Sequence, residues 1–84
     1  MTTGVQFTGT LTANQTAKYT TFGWNAASYV AWYCVPTSVN ATAAEVQWSV
    51  AVERTSTTQC TYWITVTNLT AATVTFEGRY AILG

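Results

Sequence analysis

The chain has 84 residues, a length for one domain over 1–84, and a domain this small buries only about 60% of its unfolded surface, so it needs a dense core, a staple or a partner. Hydrophobic residues make up 49% and charged residues 7%, which excludes general disorder, because disorder needs low hydrophobicity and high charge. The ionic residues Lys18, Glu45, Glu53, Arg54, Glu77 and Arg79 sum to zero; this excludes a phosphate-neutralising nucleic-acid surface and a polybasic lipid contact, and it leaves little repulsion against self-association.

Threonine, valine and the aromatics dominate, and their stiff or flat side chains favour strands. In "GVQFTGTLT", Val5, Phe7 and Leu11 fall on one phase, and Gly9 on that phase predicts a bulge or a close approach. "ANQT" at 13–16 reads as a turn, "KYTTF" as a second strand, and "GWNAA" at 23–27 as a loop. "SYVAWYCV" at 28–35 is apolar on both phases, the pattern of a central strand, or of one face in the core and the other against a partner. Pro36 ends it and "PTSVNATA" is the longest connection. In "EVQWSVAVER", Val46, Trp48, Val50 and Val52 point in; Glu45, Gln47, Ser49, Ala51 and Glu53 point out. After "TSTT" comes "CTYWITVTNLT", with Cys60, Tyr62, Ile64 and Val66 on one phase and Trp63 among Thr61, Thr65 and Thr67 on the other. "TVTFEGRYAIL" closes the chain, with Val74, Phe76, Tyr80 and Ile82 in and Thr75, Glu77 and Arg79 out. About six strands and no helical period predict an all-β antiparallel sandwich or small barrel, its last three strands forming a meander.

Chemistry is limited by what is missing. With no His and no Asp, neither a Ser-His-Asp nor a Cys-His constellation can be built, no zinc set closes, and calcium is disfavoured. Glu45 and Glu53 stand eight residues apart on one strand, about 27 Å, too far to share a glycosidic bond. Glu53 and Glu77 each have an arginine close in sequence, Arg54 and Arg79, which suggests cross-strand ion pairs on a solvated surface. No enzyme, cofactor or metal is expected. Cys34 and Cys60 read as buried thiols, with one disulfide as the alternative.

The binding candidates are aromatic. Trp63 on a threonine phase, beside Glu77 and Arg79 if the last two strands pair, would give a sugar ring an apolar plate and polar partners for its hydroxyls. Trp24 and Asn25 in the loop after Gly23 are a second candidate pair. Tyr29, Trp32 and Tyr33 crowd one strand more densely than a small core requires and suggest a subunit interface. Asn14, Asn40 and Asn68 each start an N-x-T triplet, but all fall in expected turns. No stretch reaches the roughly 20 apolar residues of a spanning helix, and "MTTGVQFTGT" lacks signal-peptide character, so the expectation is a cytoplasmic chain or one exported by another route. The reading is a non-catalytic, metal-independent, lectin-like module for neutral carbohydrate that acts as a homo-oligomer. The alternatives are a self-assembling structural subunit in a ring, fibre or particle and, after it, an oligomeric β protein that inserts in membranes.

Overall fold

The computed structural model describes all 84 residues. Six strands form: β1 (Thr2–Leu11), β2 (Thr16–Asn25), β3 (Tyr29–Pro36), β4 (Val46–Glu53), β5 (Gln59–Asn68) and β6 (Val74–Leu83). They make two antiparallel sheets of three, ordered β1-β6-β3 and β2-β5-β4. The sheets do not close, so the sandwich is realised and the barrel is not. No helix long and apolar enough to cross a membrane is present.

The expected C-terminal meander is corrected. β4 and β5 do form a hairpin, but β6 leaves for the opposite sheet and pairs with β1 and β3. The two central strands are therefore β5 and β6. β3 is an edge strand, which overturns the central placement that its two apolar phases allowed and leaves the other reading, one face in the core and one against a partner, as an expectation.

Alternation decides which side chains meet between the sheets. Tyr62, Ile64 and Val66 of β5 are buried against Phe76 of β6 and Leu11 of β1. Full burial of a side chain such as Phe76 stabilises the fold by about 2 kcal/mol. Gly78 opposes Phe7 across the β1–β6 ladder, and a Cβ there would fall within the Phe7 ring. Gly9 makes the same kind of room for Phe76 and for the Tyr19 hydroxyl. The close approach expected at Gly9 is thus realised. The bulge lies elsewhere, between Val5 and Phe7, and it turns Val5 onto the outer face, half exposed, instead of inward with Phe7.

A second bulge interrupts the β2–β5 register between Thr21 and Trp24. Gly23 there has φ 75°, a conformation that glycine adopts without a Cβ penalty. The strand runs into the expected loop as far as Asn25 and returns Trp24 to the inner face opposite Cys60. Glu45 is also corrected: it precedes β4, is buried, and accepts a hydrogen bond from Ser38 Oγ at 3.0 Å. Val50 and Val52 do hold the inward phase opposite Ile64 and Tyr62, yet they remain 38% and 60% exposed, because nothing covers that half of β4.

At the far end of the sandwich, Asn68 is 1% exposed. Its amide donates to the carbonyls of Leu11, Thr12 and Ala72, and its Oδ1 accepts from the backbone and the hydroxyl of Thr70. One side chain thus ties the β1–β2 turn to the β5–β6 connection.

Candidate functional site

The outer face of the β1-β6-β3 sheet is the strongest candidate for ligand contact. Registers on both sides of β6 set Val5, Arg79 and Tyr33 in one row across the three strands. The row above holds Thr3, Ala81 and Ala31, and the row below Thr8, Glu77 and Val35. Small residues in the upper row and large ones in the middle leave a depression of about 510 Å³, whose lining includes Val5, Ala31, Tyr33, Glu77 and Arg79. A second depression of about 360 Å³ continues along the same face. It shares Glu77 and is lined by the hydroxyls of Thr8, Thr10, Thr37 and Thr75.

The electrostatics of this groove are local. Arg79 Nε and Nη2 both reach Glu77 Oε1 at 2.9 Å, so Oε2 of Glu77 and Nη1 of Arg79 can turn to a ligand. The pair lies along one strand, two residues apart, which corrects the expected cross-strand pairing. Arg54, the other arginine expected to pair with a glutamate, instead donates to the carbonyl of Thr57 at 2.7 Å. Tyr33 is half exposed and packs edge-on against Trp48, with ring centroids 5.5 Å apart.

The structure divides the residues singled out in the sequence. Glu77 and Arg79 stay together. Trp63 lies on the opposite outer face, between Thr20 and Ala51 of its neighbouring strands, so the proposed cluster of Trp63 with Glu77 and Arg79 is overturned by the placement of β5 and β6 in different sheets. Trp24 is not in a loop. Its indole packs against Trp32, Tyr62 and Tyr80, and its Nε1 donates to Thr21 Oγ1 at 2.8 Å. Asn25 accepts from the backbone N–H of Ala27 at 2.9 Å, a local turn bond. Of the interface candidates, Tyr29 points outward and is exposed, Tyr33 joins the groove, and Trp32 belongs to the inner aromatic cluster, where its Nε1 is buried without a partner.

Cys34 and Cys60 are free thiols, both buried, so the disulfide alternative is not realised. Burial pushes the Cys34 thiol up to about 11, which removes the thiolate that nucleophilic chemistry requires. No three Cys or Glu side chains converge as a metal-ligand group. Tyr33 and Val5 are the site residues that sequence reasoning assigned elsewhere. The Gln6 bulge and the β1-β6-β3 order bring them beside Arg79, and no local pattern carries that strand order. Compared with protein-family models, curated proteins and solved structures, the chain matches none.

Proposed function

We propose that the protein is a non-catalytic binding module for neutral carbohydrate, with its site in the groove on the outer face of the β1-β6-β3 sheet. The observation that carries this reading is the row of Val5, Arg79 and Tyr33 beside Glu77. It combines an apolar floor, one aromatic plate and a charge pair with a free donor and a free acceptor. A pyranose ring needs that combination: its C–H face lies on the apolar surface, while a carboxylate and a guanidinium take adjacent hydroxyls. The threonine-lined continuation past Glu77 suits further hydroxyls of a longer glycan.

The test is a titration with a panel of neutral mono- and oligosaccharides, followed calorimetrically. Saturable binding of one sugar class is expected, weakened at least tenfold in Tyr33→Ala and in Arg79→Ala and unchanged in Trp63→Ala, whose indole is on the other face. No saturable binding across the panel, or loss of binding in Trp63→Ala alone, would sink the proposal.

A further inference from the structure

The four sheet edges are not alike. An unpaired edge strand invites pairing with another chain unless a bulge, a charge or a proline blunts it. β1 carries the bulge after Val5, and β2 carries the Phe22–Gly23 bulge together with Lys18. β3 and β4 pair with their neighbours in unbroken register. β3 contains no charged residue and its one proline, Pro36, is its last residue; β4 contains no proline and no charge before Glu53. Both blunted edges thus lie on one side of the sandwich and both open edges on the other, where Tyr33 of β3 meets Trp48 of β4. On that side Val50 and Val52 also keep the inward phase with nothing over them.

We infer that the open side docks a second copy of this chain, β4 against β4 in antiparallel register, to give a two-fold dimer with a continuous sheet of six strands. Opposed residues in such a pair share a face, so the registers allowed are those that bring even-numbered residues together. A register centred on Ser49 would set Glu53 against the buried Glu45, two carboxylates face to face. The register centred on Val50 avoids this. It sets Val50 against Val50, Val52 against Trp48 of the second copy, and the Glu53 carboxylate against the Gln47 amide, which can donate to it. Val52 is then covered by Trp48 of the second copy.

The area is adequate. The molecule measures 43 × 23 × 15 Å; its long, narrow side offers roughly 600 Å² per copy, and two copies together bury slightly more than the roughly 1,000 Å² that a specific interface needs. The two-fold axis of an antiparallel strand pair stands perpendicular to the sheet. Both β1-β6-β3 outer faces therefore point the same way, and, if the carbohydrate reading holds, the dimer offers two grooves to one multivalent surface.

Analytical ultracentrifugation tests the dimer. The wild-type chain is expected to sediment at twice its 9.1 kDa mass, and the mass to halve in Val52→Lys with far-UV circular dichroism unchanged, since that side chain is largely exposed in the single copy. Val50→Cys, at the two-fold, is expected to form a covalent dimer under mild oxidation, whereas Val5→Cys on β1 is not. A monomeric wild type at about 100 µM would overturn the inference; so would an unchanged mass in Val52→Lys, or cross-linking through Val5→Cys in place of Val50→Cys. Sugar titration of monomeric Val52→Lys separates the two proposals, because each groove lies within one copy.

Discussion

Asn68 shows how much one polar side chain can hold in so small a fold. Its amide satisfies two carbonyls at the β1 end of the β1–β2 turn and one in the β5–β6 connection, while its carbonyl takes both Thr70 donors. Burial makes each of these bonds expensive to lose, because the orphaned partners find no water. Asn68→Ala is expected to cost about 3 kcal/mol, and Asn68→Asp at least as much, because a carboxylate oxygen would then face three carbonyls. Chemical denaturation of both variants at pH 7 measures this, and a loss under about 1 kcal/mol would show that the turn is held by other bonds. Asn68 was legible in the sequence only as a turn residue in an N-x-T triplet. Its burial depends on β1 arriving from 56 residues away, which no local pattern encodes.

At the scale of the strand, alternation was a dependable guide where the register is unbroken and failed where it is not. The inward phases of β5 and β6 read correctly, although Thr61 on the outward phase is also buried, under its bond to Thr55. Val5 was misplaced because an extra residue in β1 reverses the phase, and Trp24 because the Gly23 bulge of β2 reads as the start of a loop. Strand order was illegible for another reason: β4, β5 and β6 have similar connections, and only packing between the sheets sends β6 across. The Glu77–Arg79 half of the site survived this error because it is local to one strand; the Trp63 half did not. The β2 bulge gives a direct test of phase. Gly23→Ala keeps the extra residue and adds only strain at a positive φ, about 1 kcal/mol. Deleting Gly23 removes the extra residue and restores plain alternation from Thr21 to Trp24, so Trp24 is expected to stay opposite Cys60 in the Trp32–Tyr62–Tyr80 cluster, whereas inserting one alanine after Gly23 is expected to turn it to solvent. Red-shifted tryptophan emission and gross destabilisation in the insertion, but not in the deletion or in Gly23→Ala, are the expected outcomes; equal effects would mean that the bulge does not set the phase.

For the whole molecule, the limiting feature is a thin core that contains ionisable groups. Only 13 of 84 residues are buried, so a few groups on the inner faces weigh heavily. Cys34 is one of these, lifted to about 11 by burial. Tyr19 is raised by burial and then by its neighbour Cys34, and Tyr62 by burial and then by Cys60. All three are neutral when protonated, and the fold favours that form. Below the ordinary thiol range, near 9, folded and unfolded chains are both protonated and no stability is lost. As pH rises through 9 towards 11, the unfolded Cys34 ionises first and draws the equilibrium towards unfolding. The tyrosines extend the loss above their ordinary value near 10. The melting temperature is therefore expected to be flat from about pH 6 to 8 and to fall steeply between about 9 and 11. In Cys34→Ala, which removes one titrating group and leaves a small cavity, the starting value should be lower and the alkaline fall shallower. A fall of undiminished slope in that variant would place the alkaline loss on the tyrosines or the surface and clear Cys34 of it.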